Sequence, residues 1–266
     1  MKVHGICLAS FLFLPLGAYA TAINVDLGTA DSFAVLAGST VTNTGPTIVG
    51  GDLGVWPGTA ITGFPPGTVS GTMHDTDAVA MQAQNDLTTA YNFAAGESCG
   101  TNLTGQDLGG HTLTPGVYCF TSSAQLTGAL TLNSQGNSNA VFVFQIGSTL
   151  TTASASSVLF SNGGEGDNVF WQVGSSATLG TSTAFAGNIL ALTSITLNTT
   201  ASIGCGRALA RNGAVTMDTN DVSINSEGCE TTSGPSPVPE PSTAALLLFI
   251  GAPGLVWLRK LKSARP

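Results

Sequence analysis

Ala177-Thr178-Leu179-Gly180-Thr181, Ile195-Thr196-Leu197-Asn198-Thr199 and Val215-Thr216-Met217-Asp218-Thr219 are one pattern written three times, with starts 18 and 20 residues apart. A second phase runs between the copies, in Val169-Phe170-Trp171-Gln172-Val173, Asn188-Ile189-Leu190-Ala191-Leu192 and Gly206-Arg207-Ala208-Leu209-Ala210. Short strands recurring at this interval and separated by Gly, Asn, Ser and Thr are the signature of a solenoid. Within each copy the period of 2 points the central Leu or Met inward and the first Thr outward. Stacked coils then place Thr178, Thr196 and Thr216 in one file, at roughly the 4.8 Å strand spacing. Thr181, Thr199 and Thr219 are expected as a second file at the next corner.

The two ends of the chain read differently from its middle. Residues 1–20 form a secretory signal: Lys2 supplies the positive start, residues 6–16 the apolar run, and Ala18-Tyr19-Ala20 the small-x-small cleavage site. Residues 231–238 are a Pro-, Ser- and Thr-rich linker. Beyond it come Pro239-Glu240-Pro241, an apolar stretch at 244–258 and a tail containing Arg259, Lys260, Lys262 and Arg265. This end, residues 239–266, resembles the PEP-CTERM sorting signal of Gram-negative bacteria. The resemblance implies transient anchoring in the inner membrane, handling by an exosortase, and delivery to the cell surface or surrounding matrix.

Residues 21–230 are left as one domain with ample length for a large core. Of the seven Lys and Arg, only Arg207 and Arg211 lie between positions 21 and 238, against fourteen of the fifteen acids. So acidic a surface repels phosphate backbones, which excludes nucleic acid as a partner. Removal of the signal takes Cys7 and leaves Cys99, Cys119, Cys205 and Cys229. In an exported chain these suggest two disulfides with three possible connectivities. The sequence-local pairs, Cys99–Cys119 and Cys205–Cys229, are the expected ones. Without a Cys-x-x-Cys spacing, and with only His74 and His111 in the domain, no structural zinc site is expected, nor any cofactor.

Along the domain, residues 23–72 alternate short strands with turns such as Trp56-Pro57-Gly58 and Phe64-Pro65-Pro66-Gly67. The composition then changes. Val79, Ala83, Leu87, Ala90, Tyr91 and Ala94 fall on one helical stripe, predicting a helix over about 76–95. Asp75 or Thr76 is expected to cap it, and Gly96 to stop it. A Gly-, Asn- and Thr-rich loop or cap follows at 97–112, and strands resume at Leu113. A helix interrupting the coils means that two separated pieces of sequence build the solenoid.

Several ordered blocks then carry a family resemblance. They include Phe33-Ala34-Val35-Leu36-Ala37-Gly38, Gly50-Gly51-Asp52-Leu53-Gly54-Val55, Leu113-Thr114-Pro115-Gly116-Val117-Tyr118, Phe185-Ala186-Gly187-Asn188-Ile189-Leu190-Ala191 and Gly206-Arg207-Ala208-Leu209-Ala210-Arg211. The domain resembles the microbial ice-binding protein family. That resemblance implies a mainly β fold, a right-handed β-solenoid of roughly triangular cross-section with one long α-helix alongside. It also implies adsorption to ice through one flat face, with a Thr-(Ala/Gly)-x-(Thr/Asn) motif in some members. Thr44-Gly45-Pro46-Thr47 and Thr59-Ala60-Ile61-Thr62 fit that motif. Thr178 with Thr181, Thr196 with Thr199 and Thr216 with Thr219 keep its threonine positions. The ice surface is therefore the implied partner, and an extracellular antifreeze role the implied function.

The residues also bear on other chemistries. A polysaccharide-acting enzyme would need paired carboxylates in a groove, whereas Asp52, Asp167, Asp218 and Asp221 are scattered at expected corners. Arg207 and Arg211 read as structural caps. Gly163-Gly164-Glu165-Gly166-Asp167 lacks the ligand spacing of a calcium loop. A surface or matrix protein that holds polysaccharide without ice activity is the principal alternative, and no catalytic residue is expected.

Overall fold

The computed structural model describes residues 22–164 and 166–224, all within the first of the chain's two compact units, Met1–Thr231. The expected signal segment, linker, sorting motif and Cys229 lie outside the described residues. Within them the chain is mainly β, with parallel strands and one long helix.

Each coil contributes a strand to each of three faces. One face is a separate sheet of seven strands, in the order Ala124–Leu126, Leu150–Thr152, Ala177–Leu179, Ile195–Leu197, Val215–Asp218, Thr40–Thr44 and Ala60–Thr62. A second face runs through Gly116–Phe120, Phe142–Ile146 and Val169–Val173 to Phe33–Ala37 and Asp52–Val55. The third includes Ala129–Asn133, Ser157–Ser161, Asp221–Ser223 and Ile48–Gly50. The long strands Ala184–Ala191 and Ser202–Ala210 serve both the third and the second face. Their register shifts between Ala186 and Gly187, where they turn the corner. Gly187 has φ +98° there, and an added Cβ would meet Val169 Cβ at 2.8 Å and Trp171 Nε1 at 2.9 Å.

The sheet order confirms a solenoid assembled from two pieces of sequence. Val35 pairs with Ala208, Val41 with Val215 and Val49 with Val222, so the N-terminal coils continue the stack where the C-terminal coils end. Between Thr47 and Val55 the chain forms two strands, Ile48–Gly50 and Asp52–Val55, on different faces.

Inside the prism the inward positions form apolar files. Tyr118, Phe144 and Trp171 occupy equivalent positions on successive strands. Phe144 stacks on Trp171 with ring centroids 3.9 Å apart, and Tyr118 on Phe144 at 5.4 Å. The fully buried Trp171 satisfies its indole N–H at Ala186 O, 3.0 Å away.

The helix, Ala78–Gly96, covers the second face. Its buried residues are Ala80, Ala83, Gln84, Leu87, Ala90, Tyr91 and Ala94; Val79, expected on the stripe, is exposed. The alanines let it lie close over Leu36, Val143, Phe170, Leu190 and Leu209. Gln84 Nε2 donates to Ala210 O, and Gln145 Nε2 donates to Ala94 O and Glu97 O at the helix end. The cap is Asp77, not Asp75 or Thr76: its carboxylate accepts the Ala80 N–H at 2.9 Å and lies 2.7 Å from His74 Nδ1. Thr76 has φ +57° and Asp75 ends the strand Met73–Asp75, so neither has the conformation of a helix cap.

The segment after the helix is a cap with two short strands, Thr101–Asn102 and Thr112–Leu113, and it buries Leu103 and Leu108. Cys99 and Cys119 form the expected disulfide across it. Cys205 is buried and disulfide-bonded, and its expected partner lies outside the described residues. Both arginines serve the scaffold. Arg207 is buried, with its guanidinium on Asp31 and on Asn188 Oδ1, and Arg211 lies 4.7 Å over the Tyr91 ring.

Truncating Trp171 to Ala removes the centre of the interior stack, and we expect a loss of about 3–5 kcal/mol in urea unfolding. Asp77→Ala is expected to cost about 1 kcal/mol at neutral pH. The Ala80 N–H, with His74, holds the Asp77 carboxyl below its ordinary range. Its contribution is therefore present above the unfolded-state pKa and lost as pH falls through the folded one. The gap between wild type and variant in unfolding midpoint should narrow in acid.

Candidate functional site

The seven-stranded sheet carries the sequence pattern of interest. Its register is continuous: Gln125 pairs with Thr151, Thr151 with Thr178, Thr178 with Thr196, Thr196 with Thr216, Thr216 with Thr42, and Thr42 with Thr62. Six threonines thus stand in one outward file. Thr42, Thr62, Thr151 and Thr216 are exposed; Thr178 and Thr196 are half-buried by their neighbours. The positions on either side of each central residue point inward, among them Ala177, Leu179, Ile195, Leu197, Val215 and Met217. Thr62 Oγ1 reaches Val41 O at 3.4 Å. The other five hydroxyls have no hydrogen-bond partner in the protein among the described residues. Each is a donor and acceptor left to water, on a β-branched stem with few rotamers.

A column of small residues flanks the file on one side: Ser123, Thr149, Ser176, Ser194, Ala214, Thr40 and Ala60. Its hydroxyls tie one coil to the next. Thr149 Oγ1 donates to Ser123 Oγ at 2.8 Å, and Ser194 Oγ accepts the Ala214 N–H at 3.2 Å. On the other side, two residues beyond the file, stand Thr127, Ala153, Gly180, Asn198, Asp218 and Thr44. Larger side chains stand only at the two ends of the face, Gln125 in the file of the first strand and Phe64 beyond the last strand.

Beneath this second edge runs a series of buried polar side chains that bridge neighbouring coils. Ser156 Oγ donates to Leu126 O, Thr152 and Thr183 share a 2.8 Å hydroxyl bond, and Asn43 Nδ2 donates to Gly45 O and Gly63 O. Asn220 does the most. Its Nδ2 donates to Asn198 O and Ala201 O in the preceding coil, and its backbone N–H donates to Thr47 Oγ1 in the following one. The chain leaves the face through a column of left-handed residues, Ala155, Ser182, Thr200, Thr219 and Gly45, each with positive φ.

The structure therefore sorts the sequence-derived threonines. Thr178, Thr196, Thr216 and Thr62 stand in the file. Thr181 and Thr199 are exposed at the corner, outside it. Thr219 does not continue their file: it occupies the left-handed corner with Ser182 and Thr200, because Asp218 takes the place opposite Thr44. Thr44 is exposed beside Asp218, and Thr59 precedes the strand Ala60–Thr62 at the face's edge. Thr47 is fully buried, with its hydroxyl accepting from Asn220, so it contacts no external surface. The Thr-Gly-Pro-Thr match straddles a corner, which turns its last residue inward.

Thr42 and Thr151 belong to the file and were missed. Val41-Thr42-Asn43 and Leu150-Thr151-Thr152 repeat the alternation, but their second inward residue is polar, which hides them from a search for flanking Leu or Met.

Of the acids weighed for catalysis, Asp52 faces His74 at 3.9 Å, Asp218 stands at the edge of the threonine face, and Asp221 starts a strand of the third face. They form no pair in a groove.

Comparison with known proteins fits this arrangement. A family model described as Ice-binding-like matches residues 35–223. An ice-binding protein of Nostoc sp. (strain HG1) is 56% identical over 258 residues, covering 96% of this chain and 94% of that protein. One from Flavobacterium frigoris (strain PS1) is 35% identical over 215 residues, covering 75% and 76%. The crystal structure of an ice binding protein from an Antarctic biological consortium matches with a TM-score of 0.75 at 50% identity, over 80% of this chain and 96% of that one. That of the ice-binding protein of Antarctomyces psychrotrophicus matches with a TM-score of 0.74 at 42% identity, over 77% and 100%. With the family model running from the first inner strand to the last, the chain belongs to the Ice-binding-like family.

Proposed function

We propose that this protein adsorbs to ice through the seven-stranded face and restrains crystal growth or recrystallisation. The observation that carries the reading is the file of six outward threonines held in register by parallel strands. Each offers a methyl to exclude water and a hydroxyl to hold it. The strand ladder fixes their spacing at roughly 4.8 Å, similar to a repeat of the ice lattice. A water layer held at that spacing can merge with the crystal. The stiff stems cost little entropy to order, which is what preorganised binding requires.

No enzymatic step enters this reading: the ligand is ordered water, and the chemistry is adsorption. The end segments add a location. The signal at residues 1–20 and the Pro239-Glu240-Pro241 tail support export and exosortase handling, which would place the face in the water around the cell.

A tyrosine at position 196 would lift a ring above the threonine methyls and hold a flat crystal plane away from the file. Thr196→Tyr is therefore expected to weaken adsorption about tenfold, the effect of roughly 1.4 kcal/mol, and so to lower thermal hysteresis with an unchanged circular dichroism spectrum. Full activity in that variant would reject this face. Wild-type protein that leaves ice growth untouched while it is retained on matrix polysaccharide would favour a structural role.

A further inference from the structure

Asp218 is the only charged residue in the seven strands of the threonine face. It pairs with Thr44 across the seam between the two pieces of sequence and lies two residues beyond Thr216 of the central file. Its carboxylate is held by threonine hydroxyls on both oxygens. Thr199 Oγ1 donates to one carboxylate oxygen and Thr219 Oγ1 to the other, the latter at 3.1 Å. The Thr44 hydroxyl, 3.4 Å from Met217 O, also favours the ionised form. The backbone N–H of Asp218 is taken by Asn220 Oδ1, the buried amide that ties three coils together. Carboxylate, hydroxyls and corner are thus built as one unit.

Such a unit is incompatible with a water layer that continues into ice. An ionised group holds its solvent in an orientation set by its charge, and stripping it of water is costly unless the protein replaces that shell. Here threonine hydroxyls supply part of the shell. A hydroxyl has a single proton to donate, so Thr199 and Thr219 spend theirs on Asp218 and present only lone pairs outward. The five unbonded hydroxyls of the central file can donate or accept as a lattice demands.

Resting on the reading of this face as the ice contact, we infer that Asp218 bounds it. The contact consists of the central file and the part of the flanking column from Ser176 to Ala60. The Thr44, Thr199 and Thr219 corner is a charged rim, not part of the grid. The carboxylate at this one position limits how much of the face engages a crystal plane.

The test compares the purified full-length wild type with Asp218→Asn, Asp218→Thr and Thr196→Tyr, each checked for an unchanged circular dichroism spectrum and thermal unfolding. Asp218→Asn keeps the size and an acceptor for Thr199 but removes the charge; Asp218→Thr adds a grid member next to Thr44. Thermal hysteresis at neutral pH is expected to rise about twofold in both. Asp218→Glu keeps the charge and serves as a folded control with no rise. If Asp218→Asn has activity equal to or below wild type while Thr196→Tyr is inactive, the face stands and the rim is overturned. If Thr196→Tyr is fully active, the face itself is wrong. The two failures are read from different variants.

Discussion

Register between parallel coils is the constraint on which everything else in this molecule rests. A strand rises through one residue pair at a time, so a slip by one residue would exchange inward and outward side chains over a whole coil. The inward files resist that slip because they are apolar and dense: Tyr118, Phe144 and Trp171 stack along the axis, and Ala177, Ile195, Val215 and Val41 follow one another beneath the threonine face. The outward file is regular because the inward one is packed. Thr216 and Thr42 are 174 positions apart in sequence yet adjacent in the file, and the pairing of Val35 with Ala208, Val41 with Val215 and Val49 with Val222 sets that juxtaposition.

That seam explains the role of the buried polar groups. Hydrogen bonds between side chain and carbonyl fix a distance between coils in a way that dispersion contacts alone do not. Asn220 reaches the coil before it and the coil after it, and Asn43 bonds the last two coils of the face. The helix secures the same stack from another side. Gln84 and Tyr91 bond to backbone carbonyls of two different coils, and Leu87 packs onto the outward apolar residues that would otherwise meet water. One face is thereby given to the helix, and another is kept free of it.

The architecture was legible because the solenoid period survives in the C-terminal coils, where Leu179, Leu197 and Met217 mark the inside and threonine the outside. The separation into two pieces followed from the helix stripe. What could not be read was the environment of polar residues. Thr47 matches a surface motif, but it sits one residue past a turn that reverses inside and outside, and a short motif carries no record of that turn. Asn43 and Thr152 replace apolar inward residues, and only the carbonyls and hydroxyls they meet make them suitable there. Asp218 and Thr219 fall in step with Gly180 and Thr181 by sequence, yet this coil turns its corner in one residue fewer than its neighbours, which puts Thr219 in the left-handed column.

The distribution of charge follows from the same division of faces. Residues between 21 and 238 include fourteen acids and two bases, so a neutral surface cannot arise there by default. The acids that ring the described structure are held by local hydrogen bonds, Asp77 at the helix start, Asp86 at the Thr29 N–H and Asp107 at Thr127 and Gly109. Asp77 and Asp107 stand at cap and turn positions, and Asp86 reaches from the helix to the turn Gly28–Ser32; in each place a carboxylate satisfies backbone donors. A strand interior has no such donors to offer, because its N–H groups are committed to the ladder. Strands that keep only small hydroxyls and methyls outward are therefore free of charge wherever a coil stays regular. The one acid among them occurs where the coil is irregular, beside the left-handed corner, and there Asp218 is met by hydroxyls and not by a cation. Net acidity and a nearly uncharged flat face thus coexist because carboxylates follow the turns while the face is made of strands.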